Sequence, residues 1–436
     1  MKLTRANAIM LQDKPFVTDS TYREYSGTLT AESNSITLSS EYRIDQESIL
    51  IILNGVVQLD YTITNNKIVF PSTFTENIEY KIMIGVMLKN VDYTYDSLSN
   101  VIGIYRFAMG GGAGTWHHLN YDGAIVARDS AYFANHPIYG NITEVQIDGQ
   151  YMIKIPKFYV KNDNHVAIYI SPIKLDGFHC HPAFMKAGVE QDCFYIGKYE
   201  GSLTDAKLCS LPSVMPAVNN TITSLLTYAS NRNVNGFTGF DVMNIYQISA
   251  VQTLILIELK STDVVSLIGS GNNCGEIAAA GSLKTTNDAS VITANYRGII
   301  GLWGNAWELI NGAKTDSTGQ LIIFDNQGYK NYLPTGFITV NPATISSFPY
   351  IVDMSVLTGI NFDFKDLFIP KTVSTTRTSG SYSSCFVNSC LGFECVLCFG
   401  GGYSQITANI GLFDLSCYSK LSNAAAPTIA GRLTKI

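Results

Sequence analysis

The stretch "NYRGIIGLWGNAWELING", Asn295 to Gly312, sets tryptophans and branched apolar residues between glycines without the 3.6-residue period of a helix. It follows Gly- and Asn-rich loops and precedes a tail rich in Ser, Gly and Cys. Working upstream, the one clear helical pattern is "DVMNIYQISAVQTLILIELK", Asp241 to Lys260. Asp241 is placed to cap it, and Val242, Ile245, Ile248, Val251 and Ile255 share one face. Its second half is apolar almost all round, which predicts burial. Little else in the chain has helical period. One helix set among many short apolar runs describes an α+β, β-rich chain.

At 436 residues the chain exceeds one average domain, so two or three are expected. Hydrophobic residues make up 46% and charged residues 15%, the balance of a folded protein. With 29 basic against 35 acidic residues there is no global positive field to attract a nucleic-acid backbone. The N-terminal "MKLTRANAIMLQDKPF" lacks an uninterrupted apolar core, so no signal peptide is expected. Ile248 to Ile257 is too short to span a membrane. A chain soluble after synthesis in a cytoplasm is the expectation. Nine cysteines cannot all pair internally, and reduced thiols are expected.

Toward the N-terminus, "SILIILNGVVQLDYTITNNKIVF" joins β-branched runs through Asn54-Gly55 and Asn65-Asn66, and "EYKIMIGVML" follows as a further strand. This predicts an antiparallel β-module over residues 1–92 and a connecting β/loop segment over 93–145. The Gly-rich "MGGGAGTWHH" lacks the Lys and Ser/Thr of a phosphate loop. Its His117 and His118 alternate faces if extended, which argues against a shared metal. "QYMIKIPKFYVKN" alternates around Pro156, as an edge strand would.

In order along the chain, "IPKFYV" (Ile155 to Val160), "HPAF" (His181 to Phe184), "FYIGKYEGS" (Phe194 to Ser202), "GNAWE" (Gly304 to Glu308) and the terminal Ala430-Gly431-Arg432-Leu433 carry a resemblance. The chain over residues 146–436 resembles the C-type-lectin-like fold shared by formylglycine-generating enzymes and receptor-binding proteins of bacterial viruses. "GNAWE" stands where that superfamily has its Gly-Asn-x-Trp-Glu signature. The family's usual Gly-Phe-Arg-Leu ending is replaced here by Ala-Gly-Arg-Leu. The nearest functional resemblance is to phage tropism determinants diversified by a retroelement, in which a β-rich region attaches and trimerises the protein and a lectin-like domain displays variable residues. In that family Trp303 and Trp307 would pack the core beneath the variable surface, Glu308 would not be catalytic, and His181 would be structural.

Retroelement mutagenesis of Asn-type codons cannot produce Glu, Gln, Lys, Met or Trp. From Gly380 to Asn423 those five are represented only by Glu394, Gln405 and Lys420. The resemblance therefore places a variable ligand-binding tail at residues 380–423. The candidate contact residues are Tyr382, Phe386, Asn388, Phe393, Val396 and Tyr403, followed by Ser404, Ile406, Asp414, Ser416, Tyr418 and Ser419. Aromatics supply contact area at low entropic cost and small polar residues supply adaptable hydrogen bonds. Gly400, Gly401 and Gly402 are expected to shape the backbone.

The tail also holds Cys385, Cys390, Cys395 and Cys398. A zinc site would need a second Cys-x2-Cys beside Cys395-x2-Cys398, and none follows. Formylglycine-generating oxidases bind copper through two cysteines, which makes such an oxidase the alternative function. A purely structural tail protein is a third. Substitution outcomes at randomised surface codons explain the cysteines without a shared role. Asn272, Asn273 and Asp288 are the candidate calcium ligands, although no regular acidic loop surrounds them. No other cofactor is expected. The resemblance implies binding without turnover, a virion location at the tail tip or fibre, a homotrimer, other phage tail proteins as neighbours, and a host surface protein or polysaccharide as ligand. Neither nucleic-acid binding nor membrane insertion is expected.

Overall fold

The structure is a computed structural model, and it describes residues 22–37, 49–53, 56–57, 62–64, 67–85, 98–106, 116–272, 277–278, 294–317, 321–324, 331–332, 350–354, 364–374, 394–402, 410–420 and 426–436. The chain divides into two units, 1–94 and 95–436. In the first unit, Tyr22–Leu29, Ile78–Gly85, Ile49–Leu53 and Val56–Val57 form an antiparallel sheet in that order. Leu53 stands opposite Val56 and Thr64 opposite Lys67, the registers of two-residue hairpins. Asn54, Gly55, Asn65 and Asn66 themselves lie outside the described residues. Ile51 and Ile68 are buried, so the β-branched runs supply this unit's apolar interior.

The second unit begins earlier than residue 146. Ile102–Arg106 pairs with Ala167–Ser171, and Trp116–Leu119 pairs with Ile102–Arg106, so the segment expected to connect two domains contributes two strands to a five-stranded sheet. The reason is apolar content: Ile102, Ile104 and Trp116 join the main core. A second five-stranded sheet runs Thr143–Ile147, Gln150–Pro156, Cys193–Gly197, Leu433–Lys435, Phe240–Val242. Gln150–Pro156 is thus an interior strand and not an edge. Pro156 is tolerated because it is the strand's last residue, opposite Cys193, where one missing donor costs least. A third sheet joins Trp307–Thr315 to Leu321–Phe324 on one side and to Cys395–Gly400 and then Gly411–Lys420 on the other.

The helix runs from Ile245 to Leu259, and its cap is Asn244. Asn244 Oδ1 accepts from Tyr246 N at 3.0 Å and Gln247 N at 2.9 Å, and Gln247 Oε1 accepts from Asn244 N at 3.0 Å. This reciprocal arrangement displaces Asp241, which lies in the strand Phe240–Val242. Every residue from Ile245 to Ile257 is buried, as the all-round apolar pattern predicts. Buried polar groups on the helix are satisfied by its surroundings: Gln252 Nε2 donates to Leu412 O at 2.9 Å, and Tyr139 Oη donates to Leu254 O at 3.0 Å. Near its C-terminal end, His118 Nε2 lies 2.7 Å from Ile257 O. His118 is buried while His117 is half-buried, so the two histidines do alternate along Trp116–Leu119.

Two further histidines are held neutral by burial. His136 Nε2 lies 2.8 Å from Asn100 O and its Nδ1 accepts from Ile138 N, while burial brings its pKa down to about 4. His181 begins the turn Pro182–Phe184, accepts from Ala183 N at 3.2 Å through Nδ1, and is lowered by burial to about 3. A lowered histidine pKa means that the unfolded chain takes up the proton first. Their contribution is therefore intact above pH 6.5 and is lost as pH falls toward 4 and 3. Each should cost roughly 2 kcal/mol by pH 5. Urea midpoints measured from pH 7 to pH 5 should fall, and His136→Gln should reduce that slope even if it lowers stability at pH 7. An unchanged slope would show that His136 is not the titrating group.

Candidate functional site

Residues from three of the five motifs that carry the sequence resemblance meet at one buried cluster. Arg432 and Glu308 are both completely buried, and they form a two-pronged ion pair: Arg432 Nε donates to Glu308 Oε1 at 2.9 Å and Oε2 at 3.0 Å, and Nη2 donates to Oε1. The remaining guanidinium protons reach backbone carbonyls. Nη1 donates to Gly197 O at 2.9 Å, and Nη2 to Ile300 O and Gly301 O, both at 2.9 Å. One side chain thereby joins the end of Cys193–Gly197, the 300–301 turn and Trp307–Thr315. A planar five-donor fork can do this, and an ammonium cannot.

A second carboxylate, Glu200, lies beside this pair with 2% of its surface exposed. Its Oε2 accepts from Asn305 Nδ2 at 2.7 Å. Burial raises its pKa to about 8, with the nearby Glu308 charge adding to the rise. Burial also pushes the Glu308 carboxyl up, against the pull of Arg432. One guanidinium balances one carboxylate, so the second acid holds a proton and Glu200 is the neutral member. Gly301 accommodates it: φ is +70°, and a Cβ there would stand 3.1 Å from the Glu200 carboxyl carbon.

The same cluster anchors the loops around it. Asn305 Oδ1 accepts from Asn272 Nδ2 at 2.7 Å and from Ala278 N at 2.9 Å, and its Nδ2 donates to Ala278 O at 3.0 Å. Asn272 therefore serves the "GNAWE" loop, while Asn273 and Asp288 lie outside the described residues. Trp303 is buried with Nε1 donating to Gly269 O at 2.8 Å, and Trp307 is buried in the neighbouring core. These are packing roles. Glu200 and Arg432 stood within quoted motifs without an assigned role. The available signal was an acid and a base placed in otherwise apolar or glycine-rich runs.

Next to this cluster is the strand Cys395–Gly400, which pairs with Trp307–Thr315 and with Gly411–Lys420 and is buried throughout. Cys395, Leu397 and Phe399 face one core, and Val396 and Cys398 face the other. The alternation of a strand puts the two thiols on opposite faces, so they cannot ligate one metal ion together. Among the described residues, no group of three or more His, Cys, Asp or Glu is arranged to hold a metal. Cys385 and Cys390 lie outside the described residues.

This corrects three contact candidates. Val396, Asp414 and Ser416 are buried in the paired strands and line no exposed surface of the chain. The sequence reading placed them on a ligand-contacting surface. Val396 instead has a strand on each side and packs into the second core, while Asp414 and Ser416 lie on Gly411–Lys420, which pairs with Cys395–Gly400 and is buried from Gly411 to Ser416. Cys395 and Cys398 are likewise interior and not separate surface positions. Tyr418 and Ser419 belong to Gly411–Lys420, with Tyr418 opposite Val396. Tyr382, Phe386, Asn388, Phe393, Tyr403, Ser404 and Ile406 lie outside the described residues. The glycine run behaves as its composition predicts. Gly400 and Gly401 have φ of +94° and +76°, and their carbonyls both accept from Gly304 N at 3.2 Å.

Two substitutions separate charge from packing here. A raised carboxyl pKa means that the folded state keeps its proton while the unfolded state loses it, so Glu200 costs stability as pH rises from 4.5 through 8, by roughly 5 kcal/mol in all. Glu200→Gln should flatten the fall in melting temperature between pH 6 and 8; an equally steep fall would place the proton elsewhere. Arg432→Met leaves Glu308 buried without its partner and should cost about 3–5 kcal/mol in denaturant unfolding. The double variant Arg432→Met/Glu308→Leu should recover part of that loss.

Compared with known proteins, the sequence matches no protein-family model and no curated protein at a significant level.

Proposed function

We propose that this chain is a phage tail receptor-binding protein, built from an N-terminal attachment module and a C-type-lectin-like domain that presents a ligand surface. The observation that carries the reading is the convergence of separate motifs on one cluster. Glu200 of "FYIGKYEGS", Asn305 and Glu308 of "GNAWE" and Arg432 of the terminal element are far apart in sequence and touch in space. The terminal strand Leu433–Lys435 pairs with Cys193–Gly197, which pairs with Gln150–Pro156, so segments nearly three hundred residues apart lie in one sheet. A scaffold closed in this way keeps its shape while residues outside it vary.

The proposed ligand contacts are Tyr382, Phe386, Asn388, Phe393, Tyr403, Ser404, Ile406, Tyr418 and Ser419. All of these fall before or after the buried strand Cys395–Gly400 in sequence. The strand's interior residues serve the scaffold, which confines useful variation to its flanks. The ligand class is a host surface protein or polysaccharide, bound without turnover. Trimerisation would let weak single sites act together through effective concentration. Diversification by a retroelement belongs to the same proposal. Its signature would be a near-copy of the DNA for residues 380–423, differing at adenines and lying beside a reverse transcriptase gene.

The deciding measurement is adsorption. Phage carrying Tyr382→Ala, Phe386→Ala and Tyr403→Ala together should adsorb to host cells at least tenfold more slowly, with the purified protein's melting temperature unchanged. Normal adsorption by virions that contain the triple variant would refute the assigned surface. A Val396→Ala variant provides the contrast: it should lose roughly 1 kcal/mol of stability or more through its cavity and retain host range.

A further inference from the structure

The solvent side of the sheet containing Ala167–Ser171 carries a recess organised around Tyr169. In register, Tyr169 stands between Lys161 on one neighbouring strand and Gly103 on the other. A Cβ on Gly103 would overlap two carbons of the Tyr169 ring, so the ring lies over the glycine and occupies the space a side chain would take. Lys161 Nζ is 5.9 Å from the ring centroid. At the ring's far end, a Cβ on Gly123 would stand 3.6 Å from the phenol oxygen, which puts the 121–123 turn against it. Tyr169 is therefore a fixed wall before any ligand arrives.

That wall is shared by two open clefts of about 320 and 420 Å³. Tyr121, Asp122, Asp176 and Phe178 complete the first. Asp163, His179 and Lys365 contribute to the second. Asp366 is buried and bonded to His179 Nε2, so it orients an imidazole whose side chain is 45% exposed.

The charges select the ligand. An anion would meet Asp122, Asp163 and Asp176; a cation would meet Lys161 and Lys365, with Lys161 already lying over Tyr169. Neutral hydroxyls can donate to the carboxylates and accept from the ammonium groups at once. Tyr121, 43% exposed at the rim, offers an aromatic face for the C–H side of a ring. Concave aromatic walls with a few convergent polar groups are the general form of a small-ligand site. We propose that this sheet face binds a neutral pyranose unit of a saccharide, with Tyr169 as its fixed wall and Asp122, Asp176 and Lys161 as hydrogen-bonding partners. The site uses none of residues 380–423, so it stands or falls separately from the receptor surface proposed above.

The test uses the purified full chain and saturation-transfer NMR. The neutral probes are methyl α-glucopyranoside, methyl α-mannopyranoside, methyl β-galactopyranoside and N-acetylglucosamine; choline and inorganic phosphate are the charged probes. At least one neutral sugar should bind with a Kd on the order of millimolar. Tyr169→Ala should weaken that binding at least tenfold, and so should Asp122→Ala/Asp176→Ala, which alters only exposed residues and decides the matter if the first variant fails to fold. Absence of binding by all four sugars would overturn the proposal. So would tighter binding of choline or phosphate, or unchanged affinity in the Asp122→Ala/Asp176→Ala protein.

Discussion

The second unit depends on a single buried arginine. Placing a guanidinium where no water reaches it is unfavourable unless every proton finds an acceptor, and Arg432 meets that requirement with Glu308 and three main-chain carbonyls at 2.9 Å. Those carbonyls come from segments separated by more than a hundred residues. Satisfying one side chain therefore specifies how the end of Cys193–Gly197, the 300–301 turn and the strand after "GNAWE" must meet. An apolar residue at 432 could fill the volume, but it would not discriminate among the ways of stacking these segments. Glu200 completes the balance by staying protonated, which keeps a cluster of one base and two acids neutral.

From this cluster the order of the structure extends outward in two directions. Asn305 carries it to the 272 and 278 loops, and Trp303 carries it to Gly269. Gly304 carries it to Gly400 and Gly401, and so to the strand whose two faces fill two cores. The helix Ile245–Leu259 is held by different means: buried on all sides, it is fixed by the hydrogen bonds of Gln252, Tyr139 and His118. A rigid interior of this kind suits a protein whose proposed work is recognition, because it separates the positions that maintain the fold from those that can change.

Much of this was legible in the sequence where local chemistry decides. The hairpin registers at Leu53–Val56 and Thr64–Lys67 follow from two-residue turn dipeptides. The buried helix follows from its all-round apolar second half. Its cap did not, because Asp241 and Asn244 are both good caps, and the choice fell to Asn244 once Asp241 was drawn into a strand beside Leu433–Lys435. The segment 93–145 lacked a long periodic pattern, yet Ile102–Arg106 is a strand because Ala167–Ser171 needs a partner on that side.

The tail shows the division most clearly. By itself the sequence determined a β-rich chain, the helix, the hairpins, and the motif residues that converge on Arg432. Composition between Gly380 and Asn423 marked a region crowded with Cys, Ser, Phe and Tyr, but it could not tell an exposed position from a buried one. Only the tertiary structure decided that Val396, Cys398, Asp414 and Ser416 are interior. For Val396 and Cys398 the physical reason is that Cys395–Gly400 has a strand on each side and a core on each face; for Asp414 and Ser416 it is that Gly411–Lys420 pairs with that strand and is buried from Gly411 to Ser416.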